Sequence, residues 1–221
     1  VISRQVFRTG IQRTTRALLL QLADQTEQTH TVVPVSFDAE GPCYRVVSGF
    51  LDLDTACCDM PDSSMISPEH GDYFLGLDLT GYDVIQADEG GIFQRFRQAG
   101  VKVVFVVYDL LPITWPCFFN SGVAQHHDRW LQVVAAGDGA LCISATVAAE
   151  FQRWLDLRQQ WPLHPFELNW FHLGGDPENS APTSDMPADA DQVLALLATG
   201  TTFLMVGTVE PRKGYTQTLR A

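Results

Sequence analysis

The stretch Val101–Tyr108 (VKVVFVVY) is apolar at every position except Lys102. A strand with one face in water alternates apolar and polar side chains. A strand that is apolar almost throughout is buried on both faces, as in a parallel sheet covered by helices. The rest of the chain supplies the partners such a strand needs. A helix is predicted from Ile11 to Leu22, with Ile11, Leu18, Leu19 and Leu22 on one face and Thr9 as its N-cap. Thr31–Phe37 reads as a strand rich in β-branched residues, followed by an irregular stretch over 38–71 with a short strand near Tyr44–Val47 and a surface insertion. Asp72–Leu77 and Asp83–Gln86 read as short strands, and Gly90–Ala99 as a helix stopped by Gly100. Helices over Gln125–Ala136 and Ala145–Leu157 flank a strand over Ala140–Ile143; Gly137-Asp138-Gly139 ends the first helix and Ser144 caps the second. Phe166–Leu173 reads as a last strand. Strand and helix alternating over short connections predict an α/β fold with a doubly wound parallel sheet.

The pattern breaks at Gly174–Pro187, which is rich in Pro, Ser, Asp and Asn and reads as a linker. A helix over Asp189–Ala198, a stop at Thr199-Gly200 and a buried strand over Thr202–Thr208 follow. One helix and one strand cannot bury their own apolar faces, so a second domain is expected to begin near residue 188, with only its opening in this sequence. The chain opens on Val1-Ile2 without an initiator Met, and it is read as a piece of a longer protein.

Composition narrows the function classes. With 46% hydrophobic and 18% charged residues, the chain is a globular protein and not a disordered one. Its formal net charge of −12 disfavours non-specific nucleic-acid binding, which needs a basic surface to displace counterions. No apolar run approaches the roughly 18–20 residues of a membrane span, and the start has no signal-peptide pattern. The five cysteines include no C-x-x-C pair, and Cys57 and Cys58 are adjacent, which suits neither a disulfide framework nor a shared metal; a reducing cytoplasm is expected. The histidines show no metal-binding spacing, and His126-His127 reads as a feature of a helix surface. The absence of G-x-G-x-x-G argues against a dinucleotide enzyme such as a sugar epimerase.

In doubly wound sheets, ligands sit beyond the carboxyl ends of the strands. That rule singles out Asp109, Ser144 and Gly174-Gly175-Asp176. Asp109 either orients a substrate hydroxyl or caps the turn that follows it. The densest candidate lies near the C-terminus, in Val206-Gly207-Thr208-Val209-Glu210-Pro211-Arg212-Lys213-Gly214. Arg212 offers a planar fork and Lys213 a movable point charge, a pair suited to a diphosphate; the alternative is a solvated basic turn.

This segment resembles the G-T-x-E-P-R-K-G loop of retaining GT-B glycosyltransferases of family 4, the group that builds bacterial O-antigens and capsules. Thr9-Gly10-Ile11-Gln12-Arg13 is similar to the T-G-I-Q-R loop of a mannosyltransferase-like subset of that family. Tyr108-Asp109-Leu110-Leu111-Pro112 resembles its H/Y-D-L-x-P turn, with Tyr108 where many members carry His. Ile143–Phe151 and Phe171–Asp176 resemble its S-x-x-V-A-x-E-L segment and its h-L-G-A-D junction.

The resemblance implies a Rossmann-like acceptor-side domain over 1–175, a linker over 176–187, and over 188–221 the beginning of a Rossmann-like nucleotide-sugar domain. It implies that Arg212, Lys213 and Gly207 hold the donor diphosphate, that Gly10 and Arg13 line the acceptor-side loop, and that Asp109 is the catalytic candidate. The implied activity is retaining transfer of a hexosyl group, mannosyl in the resembling subset, from a nucleotide diphosphate sugar to a polysaccharide or lipid-linked glycan. No metal and no other cofactor is expected, and no nucleic-acid partner. The expected location is the cytoplasm, extending to peripheral association of the full-length protein with the inner face of the membrane. The family's first strand would precede residue 1, and its E-x7-E element would lie beyond residue 221, so the stretch alone is expected to be inactive. The reading from a different class is a non-catalytic module that holds a glycan or a partner.

Overall fold

A computed structural model of the protein describes residues 10–25, 30–47, 63–159, 161–162, 164–174 and 186–221. It divides into two compact units, Val1–Gly174 and Gly175–Ala221.

In the first unit, helix α1 (Gly10–Gln25) precedes a hairpin of β1 (Val35–Asp38) and β2 (Cys43–Val46), which pair antiparallel. The predicted strand over Thr31–Phe37 therefore starts later than expected. Pro34 has no N–H to give to a ladder, and β1 begins after it. The hairpin turn is tied by Arg45, whose Nε donates to Asp38 Oδ2 at 2.7 Å.

The main sheet contains β3 (Tyr73–Gly76), β4 (Lys102–Val107), β5 (Gly139–Cys142) and β6 (Glu167–Trp170), all parallel and in sequential order. β3 connects to β4 through α2 (Gly81–Glu89) and α3 (Ile92–Gln98). α4 (Leu111–Thr114) and α5 (Val123–Ala136) lead to β5, and α6 (Ala145–Arg158) leads to β6. This is the Rossmann-like α/β order that the alternation predicted. β4 has a strand on each side, and Val103, Phe105, Val106 and Val107 are all essentially inaccessible, which explains its unbroken apolar run.

Two caps act as the sequence suggested. Ser144 Oγ accepts from the Val147 N–H at 3.2 Å. Gly100 lies one residue past the C-cap of α3 with φ +83°, a conformation in which L side chains are strained. The Thr9 cap, residues 48–62 of the irregular stretch over 38–71, and residues 175–185 of the linker lie outside the described residues.

Other expectations are corrected. Asp83–Gln86 is not a strand but the middle of α2. Val84, Ile85 and Ala87 are buried while Gln86 is exposed, a pattern of helical period that a two-residue alternation cannot produce. The Val84 N–H bonds Thr80 O at 3.0 Å, closing the first helical turn. His126-His127 is only half a surface feature. His126 stacks on Tyr82 with ring centroids 3.9 Å apart, whereas His127 is buried.

The core joins an aromatic group to an aliphatic one. Tyr44, Phe74, Phe93, Phe96 and Phe105 pack ring against ring, with Tyr44 and Phe74 centroids 4.8 Å apart. Trp130, Leu131 and Val134 of α5 and Phe151, Trp154 and Leu155 of α6 complete it. These two helices also share a polar clamp. Asp128 Oδ1 accepts from Trp154 Nε1 at 3.0 Å and pairs with Arg158 Nη2 at 2.6 Å, and Gln132 Nε2 donates to Asp128 Oδ2 at 3.0 Å. Asp128→Ala leaves the N–H of the buried Trp154 without its acceptor, a loss of about 1–3 kcal/mol. Asp128→Asn keeps an amide oxygen in place and retains most of that stability. Urea midpoints at unchanged m-value measure both; equal midpoints for Ala and wild type would rule the clamp out.

The second unit holds α7 (Ala190–Leu197), a 3-10 turn over Pro211–Lys213 and α8 (Tyr215–Arg220). The expected buried strand over Thr202–Thr208 does not form. Residues 201–206 have no regular structure, and Phe203, Leu204 and Val206 are exposed. A parallel strand takes its backbone partners from neighbours, and no strand is present among the described residues of this unit to supply them. Among the described residues, no helix is long and apolar enough to cross a membrane.

Candidate functional site

The candidate residues lie in both units. In the first, the carboxyl ends of β3 and β4 release Leu77-Asp78 and Tyr108-Asp109 side by side. The Tyr108 hydroxyl donates to Leu77 O at 2.7 Å, and Thr15 Oγ1 lies 3.1 Å from both the Tyr108 hydroxyl and Leu77 O. Thr15 and Tyr108 are buried. Burial pushes the Tyr108 phenol above its ordinary pKa, against the pull of the Thr15 hydrogen bond. Tyr108 is thus a neutral tie that fastens α1 to the ends of two strands.

Asp109 is half-buried, and its Oδ1 accepts from the Leu111 N–H at 3.1 Å. One carboxylate oxygen therefore caps the turn into α4. Its backbone oxygen lies 3.1 Å from His127 Nε2, and since a carbonyl can only accept, Nε2 carries the proton. Burial lowers the His127 pKa below its ordinary value, opposed by this hydrogen bond. A histidine with a depressed folded pKa contributes stability above the unfolded value of about 6.5, and that contribution is lost as pH falls through the folded pKa. Stability is expected to decline as pH drops from 7.5 to 5.5. His127→Gln keeps a donor for Asp109 O and should flatten that decline in urea midpoints; an unaltered slope would assign the pH dependence to other groups.

Next to the Tyr108 tie lies a cavity of about 160 Å³, lined by Phe37, Tyr44 and Phe74 and by Thr15, Asp78 and Asp83 among others. Burial raises the Asp78 pKa above the ordinary carboxylate value. Gly10 is the first residue of α1, and among the described residues no atom lies within 4 Å of the position a Cβ would take there. Arg13 is exposed on the same helix.

In the second unit, Gly207, Arg212 and Lys213 share one closed loop. Gly207 has φ +154°, which disfavours any side chain, and its carbonyl accepts from the Tyr215 hydroxyl at 2.6 Å. Gly214, with φ +75°, leads from the 3-10 turn into α8. Inside the loop, Arg212 Nε pairs with Glu210 Oε2 at 2.6 Å, and Thr208 Oγ1 donates to Glu210 Oε1 at 2.6 Å. The Thr208 hydrogen bond, then that of Arg212, hold the Glu210 carboxyl below its ordinary range. Lys213 is exposed, and its N–H bonds Glu210 O at 3.0 Å.

Sequence reasoning missed Thr15, Asp78, His127 and Tyr215 as contributors. Two had a usable signal. Thr15 lies four residues after Ile11 on the apolar face of α1, a polar residue where the pattern wants an apolar one. Asp78 follows a strand end by the same rule that singled out Asp109.

Three curated relatives from Escherichia coli, each described as a serotype-specific mannosyltransferase WbdA, are similar to the whole of this chain. Identity is 32% over 228 residues for one and 33% over 230 residues for the other two. The chain spans 26–27% of the length of these relatives. No known family model matches the chain, and no solved structure matches it.

Proposed function

We propose that the chain is part of a glycosyltransferase of the retaining GT-B kind, which transfers a hexosyl group, mannosyl in the first instance, from a nucleotide diphosphate sugar to a polysaccharide or lipid-linked glycan. The observation that carries this reading is the similarity of the whole chain to mannosyltransferases at 32–33% identity. The loop at 207–214 supports it with a physical argument. Residues 1–175 act as the acceptor-side domain and 188–221 as the start of the donor-side domain, joined by 176–187.

Arg212 and Lys213 neutralise the donor diphosphate, and Gly207 leaves the loop backbone open to it. As the bond from the sugar's anomeric carbon to the diphosphate oxygen breaks, negative charge grows on that oxygen. Arg212, held by Glu210, and the more mobile Lys213 stabilise it more strongly in the transition state than in the ground state. They supply this charge without a metal ion. On the acceptor side, one oxygen of Asp109 caps the α4 turn and the other orients the acceptor hydroxyl. Gly10 and Arg13, at the start of α1, line the acceptor-side loop, and Thr15 of the same helix is tied to Tyr108. The proposed location is the cytoplasm, extending to peripheral association of the full-length protein with the inner face of the membrane.

The test is nucleoside diphosphate release from a panel of nucleotide sugars by the full-length protein, with Arg212 and Lys213 varied. No release from any donor by the wild type would refute the transferase reading.

A further inference from the structure

The loop read as the diphosphate site already contains an anion. Glu210 has one carboxylate oxygen on the Thr208 hydroxyl and the other on Arg212 Nε, each at 2.6 Å. Its side chain is 37% exposed and that of Arg212 27%, so both are held in place yet reachable from solvent. The Pro211–Lys213 turn, closed by the Lys213 N–H on Glu210 O at 3.0 Å, sets this carboxylate and the Lys213 cation on one short turn.

We propose that Glu210 is the loop's internal counter-anion: it orients Arg212 before the donor arrives, and its negative charge limits how tightly the loop holds a diphosphate. The inference rests on the donor-loop reading above and deepens it. A guanidinium on a flexible stem loses rotamer freedom when it binds a phosphate; one already fixed by a carboxylate has lost much of it beforehand. The same carboxylate repels an incoming diphosphate at short range and competes for the guanidinium. The two effects act on different quantities. Orientation depends on a hydrogen-bond acceptor at this position, repulsion on its charge. Held below the usual carboxylate range, Glu210 is ionised throughout the neutral range and exerts the full repulsion there. A transferase gains from such a limit, because the diphosphate is also the product that must leave.

Glu210→Gln separates the two, since its amide oxygen still accepts while its charge is gone. Binding of inorganic pyrophosphate to the full-length protein is measured by calorimetry at low and high salt, for wild type, Glu210→Gln, Glu210→Ala and Arg212→Ala. Glu210→Gln should bind pyrophosphate about two- to fivefold more tightly than wild type, with the gain shrinking as salt screens the charge. Glu210→Ala should gain less than Glu210→Gln, because it also loses the orienting acceptor. A merely structural Glu210 would give equal or weaker binding in Glu210→Gln while Arg212→Ala still weakens it, and that result overturns the inference alone. If Arg212→Ala binds as wild type does, the donor-loop reading falls and the inference with it.

Discussion

Alanine at Arg212 in the full-length protein is expected to lower donor turnover, as kcat/KM, by about 10²–10³-fold, the range found when one preorganised donor to a developing negative charge is removed. Lys213→Ala should lower it by a smaller factor, since a mobile ammonium is a less directed partner than a planar guanidinium. The double variant should fall short of the product of the two, because both cations serve one leaving group and residues that act together are not additive. Arg212→Lys keeps the charge and loses the fork, so it should recover only part of the activity. The loss should appear in kcat as well as KM, because the charge being stabilised is larger in the transition state than in the bound donor. Circular dichroism spectra identical to wild type would exclude unfolding; Arg212 and Lys213 both reach solvent, so neither substitution opens a cavity in the core. Wild-type turnover in both single variants would remove the loop from the chemistry and return the chain to the reading of a non-catalytic glycan-binding module.

What the sequence revealed, and what it hid, divides by the range of the interactions. Ser144 bonds an N–H three residues away, and Gly100 ends a helix through its own φ; both effects are local, and both were legible. β4 was legible because burial on two faces removes alternation altogether. α2 was not, since Asp83–Gln86 places the β-branched Val84 and Ile85 together in a short segment with strand propensity. The helix wins by burying Val84, Ile85 and Ala87, a decision made by packing. The strand expected over Thr202–Thr208 failed for the opposite reason: its composition suits a parallel strand, and composition does not provide a neighbour. The site was less legible still. Thr15 and Tyr108 are 93 residues apart, and Asp109 and His127 are 18 apart; neither pairing leaves a mark on local sequence. The loop at 207–214 stood out because its cations and its Pro/Gly frame are adjacent in the sequence.

Gly139→Val is expected to disable the first unit's fold. Gly139 pairs with Glu167 in the parallel register of β5 and β6, and a Cβ added to it would lie 2.8 Å from Glu167 O. The obstacle is a backbone atom of the paired strand, so relief requires the two strands to separate. Gly137 is as confined: a Cβ there would lie 2.9 Å from Val103 O and 3.1 Å from Val134 O. Between them, Asp138 replaces a strand partner for β4. Its N–H bonds Val103 O at 2.7 Å, and its Oδ2 accepts from the Val103 N–H at 2.9 Å. Val103 is completely buried, so neither of its backbone groups can turn to water instead. Gly137→Val and Gly139→Val should each cost about 3 kcal/mol or more, above the usual range for overpacking because the contacts are with backbone. Asp138→Ala should cost about 1–3 kcal/mol for the stranded N–H, and Asp138→Asn less, since its amide oxygen still accepts. Lys102 Nζ, 3.7 Å from Asp138 Oδ1 and 56% exposed, contributes little to either. Urea unfolding followed by tryptophan fluorescence reports all four, because Trp130 and Trp154 are buried in this unit. A Gly139→Val midpoint within error of wild type would mean that β6 can leave β5 at little cost. The strand ends that carry Asp109 and Ser144 would then be held by β3, β4 and β5 alone.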